Sequence, residues 1–315
     1  MASPLFGFQR SVYHTMEIPF KRPELADRQI ILKHLSERKL RGCERTFANV
    51  YLWARFYQVV WAEILGTAVF RSGEEGHYSY TYPIGAGDRK GVIELLMADA
   101  EEKGYPFQMH AVSAEEMEEL EGYFPGRFQV KWPRDTEDYV YETEKLINLS
   151  GKKYHGKKNH INQFKAANPD WSYEAISDEN VEECFQMALN WRRDNGCEDD
   201  PEKNSEMCVA LNSLRLYKKL GLKGGLLRTG GQVVAFTLGE PVCEDTFVVH
   251  IEKAYADVRG AYPMINQQFL EHEVSGYTYV NREDDTGDEG LRQAKLSYRP
   301  VFMVEKGIVT LKGDI

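Results

Sequence analysis

The chain has 315 residues, of which 42% are hydrophobic and 28% are charged, and its net charge is −10. This composition excludes a disordered chain, and the excess of acid disfavours a protein whose whole surface binds nucleic acid. The length favours two domains. The sequence MASPLFGFQRSVYHTMEIPFKRPE at its start lacks an apolar core and a small-residue cleavage site, so we expect a cytoplasmic protein without a secretion signal.

Membrane and metal sites are also disfavoured by the sequence. The most apolar stretch, residues 50–70, is interrupted by Arg55, Gln58 and Glu63, so no transmembrane helix is predicted. The five cysteines are widely spaced and lack a CxxC pair or a nearby histidine. This pattern is typical of reduced core thiols, and we predict no metal site.

The first half of the chain is predicted to run strand, strand, helix, strand, helix, strand. VVWAEILGTAVF is a strand or a helix-to-strand passage, and HYSYTYPI alternates like a strand. Val92, Leu95 and Leu96 then recur at helical spacing, and Gly104 marks the end of that helix. PFQMHAVS is a short strand, Ser113 caps a short acidic helix, and RFQVKW is the last strand.

The second half repeats this order with clearer punctuation. Two helices end at Gly196 and Gly221, and the Gly230-Gly231 pair between apolar runs predicts a β-hairpin. DTFVVHIEKAYA alternates as a long strand, and the helix AYPMINQQFLEHE, the strand YTYVN, a further helix and two short strands follow. The matching order predicts two copies of one α/β (α+β) architecture, with mixed sheets flanked by helices.

The segment YVNREDDTGDEGLRQAKLSY concentrates charge where a strand gives way to a helix. Thr286 and Glu289 have capping-box spacing, so the helix is predicted to begin at Gly287. Asp288 lies in the first turn, where the helix dipole favours acids. The remaining apolar positions of this helix are predicted to be buried, namely Leu291, Ala294 and Tyr298.

Helix formation does not explain the four charged residues Arg282–Asp285. They follow a strand, and ligands of open α/β sheets bind outside the carboxyl ends of strands. They form either a ligand site or a solvated loop whose charges pair with Arg292 and Lys295, which adds little stability. The order of acids does not match an EF-hand calcium loop.

Three segments carry a family resemblance: YVNREDDTGDEGLRQAKLSYRP, GKKYHGKKNHINQF and VHIEKAYADVRGAYPMINQQF. Together they resemble a bacterial family similar to the C-terminal domain of phosphatidylglycerol lysyltransferases. The resemblance implies tandem GNAT-like domains, as in Fem-type transferases that use aminoacyl-tRNA. On this basis we expect domains at residues 1–148 and 149–315, with the active site in the second.

Two departures limit what the resemblance implies. The lipid-modifying lysyltransferases have a large membrane-embedded N-terminal part that this sequence lacks, so lipid modification is not carried over directly. We expect a small-molecule or lipid-like amine or hydroxyl as acceptor. In the loop DVRGAYPM, Arg259 and Gly260 match a GNAT pyrophosphate loop, but Tyr262 replaces its second small residue, which disfavours ordinary acetyl-CoA chemistry.

Residues 145–169 contain six lysines, two histidines and no acid. This segment is either a solvated helix or a surface for an anionic donor such as the tRNA backbone. The resemblance places it beside the donor site. Lys157 and Lys158 are therefore predicted to bind donor phosphates, and Asn159 and Asn162 to bind an amide or phosphate through hydrogen bonds.

His250 lies in the strand FVVHIEK and shares a sheet face with Glu252. A histidine in a strand is more often structural than catalytic, but GNAT-like domains use the neighbouring strand end for catalysis. We keep His250 as a candidate catalytic residue. Asn281, Arg292 and Tyr298, from the acidic junction, are predicted to contact substrate.

Acyl transfer needs a neutral nucleophile, a cation near the developing oxyanion and a site for the donor. Glu283, Asp284 or Asp285 is predicted to bind and deprotonate an acceptor ammonium, and Arg282 or Lys295 to stabilise the oxyanion. The leading hypothesis is a cytosolic aminoacyl- or acyltransferase, with aminoacyl-tRNA or coenzyme A esters as weakly bound co-substrates. The alternatives are an acyl-CoA-dependent N-acetyltransferase and a non-catalytic module that binds RNA or an anionic metabolite.

Overall fold

The computed structural model describes residues 17–313. Along the chain, the helices and strands of this range are α1 (Arg28–Leu35), α2 (Phe47–Trp53), β1 (Val60–Ile64), β2 (Thr67–Ser72), β3 (Ser79–Thr81), α3 (Arg89–Lys103), β4 (Gln108–Val112), α4 (Ala114–Tyr123), β5 (Phe128–Lys131), β6 (Asp138–Glu142), α5 (Thr143–Asn148), α6 (His155–Ala167), β7 (Ser172–Ala175), α7 (Val181–Asp194), α8 (Pro201–Leu220), β8 (Lys223–Thr229), β9 (Gln232–Cys243), β10 (Thr246–Ala254), α9 (Ala261–Phe269), β11 (Tyr279–Asn281), α10 (Glu289–Leu296), β12 (Phe302–Val304) and β13 (Gly307–Leu311).

The chain divides into two compact units, each assembled from separate segments. The first unit contains residues 17–38, 57–132 and 306–313, and the second contains residues 39–56 and 133–305. The boundary predicted between residues 148 and 149 falls inside the second unit. It does so because β6 and α5 precede that boundary, and β6 pairs with β11 and β12 of the second unit.

The first unit is built on a sheet with the strand order β1-β2-β3-β4-β13-β5. The β3–β4 pair is parallel and the other named pairs are antiparallel. Between residues 59 and 131 the predicted elements are confirmed with one exception: VVWAEILGTAVF, predicted as a single strand or a helix-to-strand passage, forms two strands, β1 and β2, that pair antiparallel. The helix α3 has Asp88 as N-cap and a left-handed Gly104 at its end, and Ser113 and Glu116 form a capping box on α4.

The second unit is built on a sheet with the strand order β12-β6-β11-β10-β9-β8-β7. The β10–β11 pair is parallel, and its neighbours are antiparallel. Gly230 and Gly231 both have positive φ and connect β8 to β9, as the predicted hairpin requires. The helices α7 and α9 both pack on β9 and β10. The predicted α/β class, with two mixed sheets flanked by helices, is therefore confirmed.

The core of the second unit lies where α6 and α9 meet the sheet. Phe164 of α6 and Met264, Ile265 and Phe269 of α9 are buried against Phe247 of β10. This packing fixes both helices against the sheet that contains β10. Within residues 17–313, no helix is both long enough and apolar enough to cross a membrane.

Candidate active site

The parallel strands β10 and β11 pair only briefly. Thr246–Val248 of β10 pairs with Tyr279–Asn281, and β10 continues to Ala254 after β11 has ended. Side chains alternate along a strand, so His250 and Glu252 lie on one face of this part of β10, which pairs with β9 but not with β11. The loop that follows β11 therefore reaches the carboxyl end of the parallel pair, where ligands of α/β sheets commonly bind.

Arg282 is the first residue after β11, and its side chain is held in a buried ion pair. Its Nη2 donates to Glu252 Oε1 at 2.8 Å, and each of the two side chains is 12% exposed. Asn266 of α9 donates to the other oxygen of Glu252 at 3.1 Å. The guanidinium carbon lies 4.7 Å from the ring centroid of Tyr298 and 5.9 Å from that of Tyr141. Glu252 of β10, Tyr141 of β6 and Tyr298 after α10 thus hold the guanidinium in place.

The guanidinium of Arg282 is not fully satisfied by these contacts. Its Nη1 is shielded from solvent and has no hydrogen-bond acceptor among residues 17–313. Burial opposes the charge, but Glu252 and the tyrosines outweigh it and raise the pKa of Arg282. A buried donor without an acceptor is costly, so an incoming oxygen atom would gain a strong hydrogen bond there.

Lys157 of α6 adds a second cation to the same tyrosine. Its Nζ lies 3.9 Å from the ring centroid of Tyr298. Burial and the nearby charge of Arg282 lower the pKa of Lys157 to about 8, and Glu252 opposes the shift. We call Arg282, Glu252, Tyr298 and Lys157 the cation cluster. In this cluster Arg282 and Lys157 both contact the ring of Tyr298, and the carboxylate of Glu252 accepts a hydrogen bond from Arg282.

Asp285 lies at the other end of the loop and belongs to a separate ion pair. Its side chain is fully buried and accepts from Arg292 Nε at 2.9 Å, from Tyr139 Oη at 2.5 Å and from Gly287 N at 3.0 Å. The hydrogen bonds from Arg292 outweigh burial and hold the pKa of Asp285 far below its usual range. Asp135 accepts from Arg292 as well, at 2.6 Å. This permanently ionised, fully bonded group is poorly suited to act as a base.

Lys295 holds the main chain of the same loop. Its Nζ donates to the carbonyl oxygen of Arg282 at 2.7 Å and to that of Asp284. Burial lowers the pKa of Lys295. The ammonium group is thus already bound to two carbonyls, which favours a positioning role over the predicted contact with an oxyanion. The carboxylate of Asp284 accepts from Thr286 N at 3.1 Å and shapes the turn.

His250 is held between two carboxylates. Its Nδ1 lies 2.7 Å from Glu283 Oε1 and its Nε2 lies 3.3 Å from Glu240 Oε1. Burial favours the neutral ring, but the bonds to Glu240 and Glu283 outweigh it and raise the pKa of His250 to about 10. The two carboxylates therefore favour the imidazolium form of His250 at neutral pH, in which Glu240 and Glu283 serve as counter-ions.

Asn281 is buried inside the protein rather than presented to a ligand. Its Nδ2 donates to Arg41 O at 2.7 Å and to Asp138 Oδ2 at 2.8 Å, and its Oδ1 accepts from Glu283 N. Ligand atoms of Asp138, Cys43 and Glu44 lie within 4.8 Å of one another, which is compatible with a metal ion. Asp138 also accepts from Cys43 N at 2.8 Å, so hydrogen bonds already account for its burial.

The helix α10 differs from its prediction. It begins at Glu289, and Asp288 is the N-cap that accepts from Leu291 N, so the predicted cap at Thr286 is wrong. Thr286 and Gly287 both have positive φ and form a turn that delays the helix. Leu291 and Ala294 are exposed, contrary to prediction, whereas Tyr298 beyond the helix is buried.

The predicted donor-binding residues are divided between α6 and the start of α9. Lys158, Asn159 and Asn162 are exposed on α6, and Arg259 is exposed before α9. Gly260 has a φ of +84°, and a Cβ there would lie 2.4 Å from the carbonyl oxygen of His160. Gly260 is thus required for close contact between α6 and α9.

Arg282, Tyr298 and Lys157 are site residues predicted from the sequence, and the structure brings these three together. No role was predicted for Glu252 or Asn266. Glu252 had a detectable signal, since alternation placed it on the same strand face as His250. Asn266 is a polar residue on the buried side of α9, and only its contact with Glu252 reveals its role.

Several solved structures resemble the chain. A conserved protein of unknown function from Bacteroides thetaiotaomicron VPI-5482 is 38% identical, with a TM-score of 0.89 over 94% of this chain and 100% of that one. The C-terminal domain of a putative lysylphosphatidylglycerol synthetase from Agrobacterium fabrum is 12% identical, with a TM-score of 0.65 over 92% of this chain and 91% of that one. L-PGS from Bacillus licheniformis is 15% identical, with a TM-score of 0.64 over 95% of both chains. The last two similarities show a shared fold.

A curated protein of Mycoplasmoides gallisepticum is 29% identical over 180 residues, and the chain spans about half the length of that relative, 55%. The family model described as phosphatidylglycerol lysyltransferase, C-terminal, matches residues 36–309. This match includes both sheets and every member of the cation cluster. The chain therefore belongs to the phosphatidylglycerol lysyltransferase C-terminal family.

Proposed function

We propose that the chain is an aminoacyltransferase that moves the acyl group of an aminoacyl-tRNA to an amine or hydroxyl acceptor. The observation that carries this proposal is the buried Nη1 of Arg282, which has no acceptor among residues 17–313. In acyl transfer, negative charge develops on the carbonyl oxygen of the ester, and a preorganised donor lowers the barrier. Arg282 is such a donor, because Glu252 and Tyr298 fix it before any substrate arrives.

The surface of α6 supports an RNA donor. Lys158 and Lys165 are exposed on this helix, and Lys152 and Lys153 are exposed just before it. No acid interrupts residues 145–169 in a chain whose net charge is −10. A local basic surface next to the cation cluster suits a phosphate backbone whose terminal ester must reach Arg282.

Acyl-CoA is the alternative donor, and the start of α9 works against it. A pyrophosphate is usually held by backbone N–H groups at a helix N-terminus. Here a Cβ on Gly260, at the start of α9, would lie only 2.4 Å from the carbonyl oxygen of His160. This oxygen therefore occupies the space beside the helix start, and its partial negative charge would repel a pyrophosphate. This contact favours aminoacyl-tRNA over coenzyme A esters.

The proposal is tested with bulk charged tRNA and with hydroxylamine, a small neutral nucleophile, as the acceptor. We expect saturable tRNA binding that weakens steeply with salt and resists excess coenzyme A. We also expect catalysed formation of aminoacyl hydroxamate. Arg282→Lys should slow this transfer by about 10²- to 10³-fold with unchanged Kd for charged tRNA, because a lysine cannot reproduce the two-nitrogen geometry.

Arg193→Lys is the matched control, since Arg193 is 74% exposed at the end of α7. It should leave both binding and transfer unchanged, and urea unfolding should show that Arg282→Lys remains folded. Absence of tRNA binding would refute the proposed donor. Binding without any transfer would instead support a non-catalytic RNA-binding module.

A further inference from the structure

We propose that Lys157 carries the proton from the attacking nucleophile to the leaving ribose oxygen. This inference rests on the proposed function and names a further catalytic residue of the same site. It follows from the position of Lys157 on the ring of Tyr298, the ring that also lies under Arg282. A group that transfers a proton in acyl transfer must lie close to the cation that stabilises the oxyanion.

Lys157 is held in place while its ammonium group stays available. Its Nζ is 3.9 Å from the ring centroid of Tyr298, and the side chain is half-buried. Among residues 17–313, no carboxylate or carbonyl oxygen accepts a hydrogen bond from this Nζ. An exposed lysine would be mobile, and a fully paired one would hold its proton. Lys157 is in neither situation.

The surroundings of Lys157 weaken its hold on the proton. The charged groups that face it are Arg282, after β11, and Glu252, on β10, and the hydroxyl group of Tyr298 is the nearby titratable group beyond α10. Burial and Arg282 lower the pKa of Lys157 to about 8 against the opposing effect of Glu252. Burial raises the pKa of Tyr298 to about 12, so that hydroxyl keeps its proton.

The other titratable groups near the loop are committed elsewhere. Lys295 donates to two main-chain carbonyls, His250 lies between two carboxylates, and Asp285 is bonded to Arg292. None of these three can exchange a proton without breaking a buried contact. Lys157 can exchange a proton without breaking a hydrogen bond, because within the described residues its ammonium group contacts only the ring of Tyr298.

The proposed step is balanced without a cofactor. The nucleophile attacks the ester carbonyl carbon, a new C–N or C–O bond forms, and the carbonyl oxygen becomes an oxyanion beside Arg282. Neutral Lys157 accepts the proton that the nucleophile loses. When the oxyanion collapses, the bond from the carbonyl carbon to the ribose oxygen breaks. That oxygen leaves with the electron pair and takes the proton from Lys157, which returns to its neutral form.

The test measures hydroxamate formation from bulk charged tRNA and hydroxylamine across a pH series, with the uncatalysed rate subtracted at each pH. In the natural protein, kcat/KM should rise with pH to a plateau with a midpoint of about 8, because neutral Lys157 is the active form. Lys157→Arg retains the cation but cannot give up its proton. It should lower kcat by about 10²-fold or more and abolish the rise, with unchanged Kd for charged tRNA.

Lys157→Gln removes the proton carrier and should lower kcat by about 10²-fold or more. Lys219→Gln, an exposed substitution on α8, is its control and should behave like the natural protein. If Lys157→Gln fails to fold, Lys157→Arg decides, since it keeps charge and length. A natural pH profile in Lys157→Arg would overturn this inference and leave the proposed function intact. Absence of transfer by the natural protein would overturn both.

Discussion

The two ends of the loop Arg282–Asp285 use charge in opposite ways. At Asp285, hydrogen bonds from Arg292, Tyr139 and the main chain satisfy the carboxylate. At Arg282, Glu252 binds one guanidinium nitrogen while Nη1 has no acceptor in the described range. Charged residues three positions apart therefore serve different purposes. The carboxylate of Asp285 thus has its acceptor capacity filled, whereas the guanidinium of Arg282 keeps one donor that a ligand could use.

The largest expected change in stability comes from removing the carboxylate of Asp285, the end of the loop whose hydrogen bonds are satisfied. Asp285→Ala leaves the Tyr139 hydroxyl and Gly287 N without their acceptor and leaves Arg292 with Asp135 alone, so the free energy of unfolding should fall by about 3–5 kcal/mol in total. Urea unfolding measures this change. Asp257→Ala, at an exposed position before α9, should stay within about 0.5 kcal/mol of the natural protein. Equal stability of the two variants would contradict the structural role of Asp285.

The second prediction concerns how the free energy of unfolding depends on pH through His250. Its pKa is 6.5 in the unfolded chain and about 10 in the folded protein. A group whose pKa is raised by folding stabilises the folded protein fully at pH values below its pKa in the unfolded chain. This stabilisation is lost as the pH rises through its pKa in the folded protein. The natural protein should therefore exceed His250→Gln in unfolding free energy by about 3 kcal/mol near neutral pH, and the gap should close toward pH 10. A gap independent of pH, measured by urea unfolding, would show that the ring is neutral.

The third prediction concerns the hydrogen bonds from Lys295 that hold the main chain of the loop. Lys295→Met removes the donor to the carbonyl oxygens of Arg282 and Asp284 and should cost about 1–3 kcal/mol. Transfer should slow as well, because Arg282 loses its fixed position. The expected signature is a fall in both the urea midpoint and kcat. A fall in kcat alone would restore the predicted direct contact between Lys295 and the oxyanion.

The smallest expected effect concerns the start of α10. Asp288→Ala should cost about 1 kcal/mol, because Asp288 caps the helix through Leu291 N. Thr286→Ala should cost less, since Thr286 precedes the cap. Reversal of this order in urea unfolding would return the cap to Thr286.

Local signals were enough to predict much of the secondary structure. Ser113 and Gly104 marked helix ends, and Gly230 with Gly231 marked the hairpin, because each acts on its immediate neighbours. The capping box predicted at Thr286 is wrong although its spacing is correct, because the left-handed turn at Thr286 and Gly287 moves the N-cap to Asp288 and the helix start to Glu289.

Non-local pairing limited the rest of the prediction. The placement of residues 39–56 in the second unit depends on contacts with distant residues, such as the bond from Ala48 N to Glu240. The site shows the same division. Lys157 and Arg282 were predicted from residue type and segment. Alternation placed Glu252 beside His250, but its bond to Arg282, and the bond of Asn266 to Glu252, are tertiary contacts that the sequence does not reveal.

The position of β13 has a consequence for the synthesis of the protein. This strand, Gly307–Leu311, lies between β4 and β5 in the first sheet, although it is made last among the strands. The first unit therefore cannot complete its sheet on the ribosome while the second is still being translated. A chain truncated before β13 would leave the facing edges of β4 and β5 unpaired and open to aggregation.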